Sequence, residues 1–307
     1  MSRTPASFFL ISVALLIPTN GATTLQSLPA RDNVTPVNPT SSTTSGSRIL
    51  GGSNALEGAF PYQAGLWMRG SSRPFCGATI ADANNLVTAA HCVLYSKGDV
   101  IPAKYLSVSV GSVHISSGSR VKLSAVFVHS KYNRTTNQND IAVLRTKKKL
   151  IWGRNVQPIG FSDSTPTTNT PCNVSGWGVT TLHGQTSNEL KYVTVNVTDI
   201  AICSTKLLVL EGMLCAGGVS NQDSCQGDSG GPLVCNGSLA GIVSFGYYCG
   251  LPDYPGVYTD VSKFADFLNY SLTRAGAASV TSPGYQTLAV VCFIVATWAA
   301  WGAASRV

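Results

Sequence analysis

Short apolar and β-branched runs alternate with turn-forming residues along most of this 307-residue chain. Runs of this kind occupy residues 106–110, 121–128, 141–144, 192–197 and 239–245. Such spacing is typical of all-β domains. Towards the C-terminus the period changes, because Val261, Phe264, Phe267 and Leu268 fall on one face of a helix over residues 261–272. The pattern therefore predicts an all-β domain that ends in one helix.

Both ends of the chain depart from this pattern. Arg3 and an apolar run over residues 8–17 predict a signal peptide over residues 1–21. Residues 22–48 are rich in Ser, Thr and Pro, which predicts a disordered pro-segment. A spacer over residues 275–287 leads to residues 288–304, which carry no charge. Small residues, a spacer and an apolar tail favour a GPI-attachment signal, and a transmembrane anchor or an unanchored end remain alternatives.

The net charge of the chain does not by itself identify a class of binding partner. Its formal net charge is +7, but residues 49–274 contain 17 Lys and Arg against 13 Asp and Glu, a net charge of +4. The one basic run, Lys147 to Lys149, is interpreted as a solvated loop. We therefore expect no nucleic-acid partner.

The sequence Gly227-Asp228-Ser229-Gly230-Gly231 carries the first chemical signal. Its glycines permit a tight turn that exposes the serine hydroxyl, and two N–H groups there can face a developing oxyanion. Taken alone, these five residues are as consistent with a glycine-rich loop as with a catalytic serine. His91, in a small apolar setting beside Cys92, offers a base, and Asp140 offers an acid that leads into an apolar run.

Together, His91, Asp140 and Ser229 in this order and context resemble the trypsin/chymotrypsin-like serine proteases, over residues 49–274. The resemblance implies two six-stranded antiparallel β-barrels with a C-terminal α-helix. It makes His91 the general base, Asp140 the group that orients it and Ser229 the nucleophile. Gly227 and Ser229 would form the oxyanion hole. A protease-like binding module without catalysis is the alternative class, and a soluble digestive enzyme is the alternative within the family.

The resemblance also places a specificity pocket. Asp223 would form its floor, Ser224 would lie beside it, and Ser244, Gly246 and Gly256 would line its walls. A carboxylate at the floor predicts cleavage after Arg or Lys. Phe245 and Tyr248 depart from the usual Trp and Gly of the family, and we expect this aromatic rim to favour Arg over Lys.

An activation site is implied by Arg48 and Ile49. Cleavage between them would free an α-amino group that pairs with Asp228, so the uncut chain would be an inactive zymogen. The resulting enzyme could cut its own Arg48, and activation by another protease is the alternative.

Nine cysteines and several glycosylation motifs indicate a secreted or cell-surface protein. The family pattern pairs Cys76–Cys92, Cys172–Cys235, Cys203–Cys215 and Cys225–Cys249, and leaves Cys292 in the tail. No Cys-x-x-Cys spacing points to zinc. The resemblance would place the glutamates of a calcium site at residues 111–116, which contain no carboxylate. We expect no metal or cofactor, a monomer, protein or peptide substrates, protein inhibitors and membrane attachment through the tail. Asparagines in glycosylation motifs are Asn33, Asn133, Asn173, Asn196, Asn236 and Asn269.

Overall fold

The computed structural model describes residues 52–179, 186–219, 227–247 and 249–277. For residues 274–277 it describes the backbone alone. These ranges contain thirteen β-strands and two α-helices. No helix within them is long and apolar enough to cross a membrane.

The first half of the described chain forms a closed six-stranded antiparallel barrel, barrel 1, after a short edge strand β1 (Ser53–Asn54). The strand order around barrel 1 is β2-β3-β4-β7-β6-β5, and β2 closes it by pairing with β5. The six strands are β2 (Gln63–Met68), β3 (Cys76–Ile80), β4 (Asn85–Thr88), β5 (Leu106–Val110), β6 (Ser119–Val128) and β7 (Ala142–Thr146).

The second half forms barrel 2, in which β9-β10-β13-β12-β11-β8 is closed by the pairing of β8 with β9. Strand β1 adds to the outside of β9. The strands are β8 (Pro171–Gly176), β9 (Lys191–Thr198), β10 (Met213–Gly217), β11 (Pro232–Cys235), β12 (Ser238–Phe245) and β13 (Pro255–Asp260), with helix α1 (Ile200–Ser204) between β9 and β10. The predicted pair of six-stranded antiparallel barrels is confirmed.

Each barrel has an apolar interior that explains why the strands close. In barrel 1, Leu66, Ile80, Leu86 and Leu144 are fully buried in one cluster. Burying one such side chain stabilises the fold by about 1.5–3 kcal/mol. Strand β3 was not among the predicted runs, because it carries the small residues Gly77 and Ala78. A side chain at Gly77 would strike the backbone of Gly231, just before β11.

The C-terminal helix packs back onto barrel 1. The chain makes a 3₁₀ turn over Val261–Phe264 and then α2 (Ala265–Ala277), so the α-helix starts later and ends later than the sequence pattern predicts. The Asp260 side chain accepts a hydrogen bond from the Ser262 N–H and fixes the start of the turn. The predicted apolar face is confirmed, since Val261, Phe264 and Leu268 are buried.

His129 completes this contact between α2 and barrel 1. Its ring meets the rings of Phe264 and Phe267 edge-on, with centroids 5.4 and 5.0 Å away. Burial, together with the nearby Lys131 ammonium, lowers the pKa of His129 below its usual range. The neutral form of the imidazole is therefore favoured at this contact with the helix.

Candidate active site

Asp140 lies at the junction of the two barrels and is completely buried. Its Oδ1 accepts a hydrogen bond from the His91 backbone N–H at 2.9 Å, and its Oδ2 lies 2.7 Å from His91 Nδ1. Because a carboxylate accepts and does not donate, Nδ1 carries the proton, which leaves the lone pair of Nε2 free to act as a base. The geometry therefore orients His91 for proton transfer.

Barrel 2 also holds Asp140. The Ser244 hydroxyl, on β12, donates to Asp140 Oδ2 at 2.6 Å, and the Thr259 hydroxyl, on β13, donates to the Asp140 carbonyl at 2.8 Å. Ser244 was predicted as a pocket-wall residue, and nothing in the sequence indicated Thr259. Together with the hydrogen bonds from His91, these bonds tie Asp140 to both barrels.

His91 sits in a short 3₁₀ turn over Ala90–Val93, and its side chain is 29% exposed while Asp140 is at 0%. The Cys76–Cys92 disulfide anchors this turn to β3. The His91 side chain is therefore partly accessible to solvent, whereas Asp140 is not.

Ser229 lies against the same part of barrel 1. Its carbonyl accepts a hydrogen bond from the Gly77 N–H at 2.8 Å and lies 3.6 Å from Cys92 Sγ. A side chain at Gly230 would strike Thr88 Oγ1, so glycine is required for this close approach. The folded chain therefore brings Ser229 next to the turn that carries His91.

The glycines around Ser229 shape the turn and the direction of its N–H groups. Gly227 has a φ of +96°, and Gly230 has a φ of +79°. The N–H groups of Gly230 and Gly231 donate to Val243 and Asp228 carbonyls, each at 2.8 Å. Within the described residues, the Gly227 and Ser229 N–H groups donate to no backbone carbonyl, which suits the predicted oxyanion hole.

The sequence was compared with models of known protein families. The trypsin family model matches residues 49–268. The chain belongs to the trypsin family.

Named relatives and a solved structure agree with that assignment. The chain is 40% identical over 223 residues to trypsin alpha of Drosophila melanogaster, covering 70% of this chain and 84% of that protein. It is 36% identical over 264 residues to trypsin Tyr p 3.0101 of Tyrophagus putrescentiae, covering 81% of this chain and 88% of that one. Mouse neuropsin, a serine protease, matches with a TM-score of 0.66 and 30% identity, covering 72% of this chain and 98% of its own. This trypsin-family chain is a serine endopeptidase.

Asp228, immediately before Ser229, is also fully buried in this protease. Its Oδ1 accepts a hydrogen bond from the Gly178 N–H at 2.8 Å. A Cβ atom on Gly178 would lie 2.5 Å from Asp228 Oδ2, and one on Gly176 would also strike the carboxylate. This contact was not predicted, and the paired glycines of Gly176-Trp177-Gly178 are a local signal that could have indicated a close approach.

Tyr132 adds a neutral hydroxyl near this trypsin-family site. Its hydroxyl donates to Asn137 Oδ1 at 3.0 Å. Burial first, and then the Asp140 carboxylate, raise the pKa of Tyr132 to about 12, although Arg134 opposes the shift. The raised pKa keeps the phenol protonated at neutral and moderately alkaline pH.

The pocket residues of this protease are described in part. Ser244 is buried, Gly256 is buried in β13, and Gly246 is exposed just after β12, where a Cβ atom would meet nothing within 4 Å. Phe245 packs beside the Cys203–Cys215 disulfide. The other predicted pocket residues, Asp223, Ser224 and Tyr248, lie outside the described residues, as do Arg48 and Ile49.

Three predicted disulfides of the protease are present: Cys76–Cys92, Cys172–Cys235 and Cys203–Cys215. Cys225, of the fourth predicted pair, lies outside the described residues. Of the predicted glycosylation sites, Asn33 also lies outside them, Asn173 is half-buried on β8, and the rest are exposed: Asn133, Asn196, Asn236 and Asn269.

The contact between Asp228 and Gly178 generates a test. We expect Gly178→Ala to lower kcat/KM about tenfold or more, because the added methyl group must displace the Asp228 carboxylate and with it the Ser229 turn. The free energy of unfolding should fall by about 1–3 kcal/mol, as for other overpacked sites. Peptidase kinetics and urea unfolding measure both effects.

Gly160→Ala is the matched control, because a Cβ there would meet no atom within 4 Å. If Gly178→Ala behaves like Gly160→Ala in both measurements, the close approach does not constrain the site.

Proposed function

We propose that this protein hydrolyses peptide bonds after Arg or Lys through an acyl-enzyme formed on Ser229. The observation that carries the proposal is the chain of hydrogen bonds from Ser244 through Asp140 to His91, next to the Ser229 turn. In this mechanism Ser229 Oγ attacks the scissile carbonyl while His91 Nε2 takes its proton. His91 then returns the proton to the leaving amine.

Asp140 would stabilise the imidazolium that forms in each step. The burial of Asp140 strengthens this interaction, because water screens the buried carboxylate less than an exposed one. The Gly227 and Ser229 N–H groups would receive the oxyanion. Removing one such donor costs enzymes about 10²–10³ in kcat.

The proposed specificity rests on the sequence position of Asp223, six residues before Ser229, and on the trypsin names of the relatives. A buried carboxylate without a cation is costly, and an Arg or Lys side chain of the substrate supplies that cation. Cleavage after apolar residues would leave the charge uncompensated.

We further propose that the chain is a secreted zymogen, activated by cleavage between Arg48 and Ile49. The family match begins at residue 49, which supports that position for the start of the enzyme. Asp228 is buried beside Ser229 and is suited to receive the new amino group. Because a buried ion pair is strongly destabilised when one partner is missing, such a pair makes an effective switch.

We also propose that residues 288–304 tether the enzyme to the cell surface, through a GPI anchor attached within the small residues at 275–279. Support comes from the sequence pattern, since residues 288–304 lie outside the described ranges.

The first test joins catalysis to activation. A serine-directed phosphonate should label the chain only after cleavage at Arg48, should fail to label the Arg48→Gln chain, and should never label Ser229→Ala. Mass spectrometry of the labelled peptide identifies the modified residue. Labelling of the uncut chain at the same rate would refute the zymogen proposal, and labelling of another residue would refute the role of Ser229.

The second test concerns specificity. Asp223→Ser should lower kcat/KM for matched Arg and Lys peptide substrates by about 10²-fold or more, since the substrate cation loses its partner. Its rate of acylation by a small neutral ester should change much less. An equal loss of activity towards the charged peptides and the neutral ester would mean that Asp223 contributes to catalysis or folding and not to specificity.

The third test concerns the anchor. Phosphatidylinositol-specific phospholipase C should release the activity from intact cells that express the full chain. Retention at the cell surface would contradict the GPI proposal and favour a transmembrane segment, whereas activity found in the medium without treatment would contradict any anchor.

A further inference from the structure

Asn139, the residue immediately before Asp140, has a left-handed backbone with a φ of +59°. Residues other than glycine seldom adopt this conformation, and asparagine is one of the few that tolerate it. Such conformations persist only where surrounding contacts enforce them, and they cluster at functional sites. The place of Asn139 next to a buried carboxylate therefore makes it a candidate for a role in the active site.

The other left-handed residues have a simpler explanation. Among the described residues, four further residues that are not glycine have a positive φ, and each lies in a turn: Asn137, Asn169, Asn236 and Asp253. Asparagine and aspartate are common at such turn positions. Within this set, Asn139 is the residue joined directly to Asp140.

The backbone around Asp140 is a tight turn. The Ile141 N–H donates to the Asn139 carbonyl at 2.9 Å, so the chain makes a three-residue turn with Asp140 at its centre. The His129 N–H donates to the Ile141 carbonyl at 3.1 Å and joins this turn to the end of β6. Because a rotation about the Asn139 backbone would turn Asp140 as a whole, the direction of the carboxylate depends on Asn139.

The Asn139 side chain holds this backbone in place. Its Nδ2 donates to the Lys131 carbonyl at 2.8 Å. Lys131 lies in a fixed turn, since its own N–H donates to His129 Nδ1 at 3.3 Å and the Tyr132 N–H donates to the His129 carbonyl at 3.0 Å. Glycine would permit the same φ but has no side-chain donor, whereas asparagine supplies both.

The loop between β6 and β7 is attached to its surroundings at two further points. Arg134 Nη1 donates to the Ser96 carbonyl at 2.7 Å, in the segment after the His91 turn. Gln138 Nε2 donates to the Glu211 carbonyl at 3.3 Å, just before β10 of barrel 2. The loop is therefore held by groups from both halves of the molecule.

We propose that Asn139 is a positioning residue that directs the Asp140 carboxylate towards His91. The inference rests on the catalytic roles proposed above for Asp140 and His91. The carboxylate meets the His91 backbone N–H at 2.9 Å and Nδ1 at 2.7 Å, and one orientation of Asp140 satisfies both contacts. A misplacement of about 1 Å in a catalytic group can lower the rate about 10²-fold.

The test compares Asn139→Ala and Asn139→Gly with the parent, each as the full chain activated at Arg48, on a small Arg peptide. We expect kcat to fall about tenfold or more in the Ala variant, which loses the hydrogen bond and disfavours the left-handed backbone. The Gly variant loses only the hydrogen bond, and its kcat should fall about threefold or more. KM should stay within about twofold in both, because Asn139 acts through Asp140 and not on the substrate.

The pH profile of kcat/KM separates positioning from a merely structural role. In both variants its acid limb should move to lower pH by about half a pH unit or more, because a misdirected carboxylate stabilises the protonated imidazole less. A loss of stability alone would leave the profile of the folded enzyme unchanged.

The matched control is Asn169→Ala, which places alanine at another left-handed position, with a φ of +68°, in an exposed turn before β8. Its free energy of unfolding in urea should fall like that of Asn139→Ala, while its kcat and pH profile should match the parent. An unchanged kcat and pH profile in Asn139→Gly would overturn the proposal, and this variant decides the question if Asn139→Ala does not fold. Equal effects of Asn169→Ala on kcat and the pH profile would also overturn it.

His91→Ala distinguishes this inference from the proposed function. If His91→Ala keeps the kcat of the parent, the proposed mechanism is wrong and the inference falls with it. If His91→Ala is inactive while the Asn139 variants keep the parent's kcat and pH profile, only the positioning role of Asn139 is refuted.

Discussion

The carboxylate of Asp140 is buried where the two barrels meet, and it is stable there only because both barrels supply hydrogen-bond donors. His91 provides two from barrel 1, and Ser244 provides one from barrel 2. A buried carboxylate that loses a charged or polar partner is destabilised by several kcal/mol. The relative position of the barrels is thus coupled to the geometry of the base, and the catalytic histidine is oriented by the same contacts that join the two halves of the molecule.

A second buried carboxylate, Asp228, constrains the other side of the site. Glycines at 176 and 178 are needed because the carboxylate occupies the space that a side chain would fill. The Ser229 turn is also pressed against barrel 1, since the Cα atom of Gly231 would lie 2.7 Å from a Cβ atom on Gly77. These close approaches hold the turn that carries the nucleophile, and they explain why so much glycine lies around it.

How far the sequence alone leads depends on whether a feature is local. The runs over residues 106–110 and 192–197 and the apolar face of Val261, Phe264 and Leu268 were predictable, because side-chain periodicity is set by neighbours along the chain. The order of His91, Asp140 and Ser229 was enough to indicate the family and its barrels. The bond from Thr259 to Asp140 and the need for glycine opposite Asp228 were not predictable. These contacts join residues far apart in the chain, and only the closure and register of the two barrels bring them together.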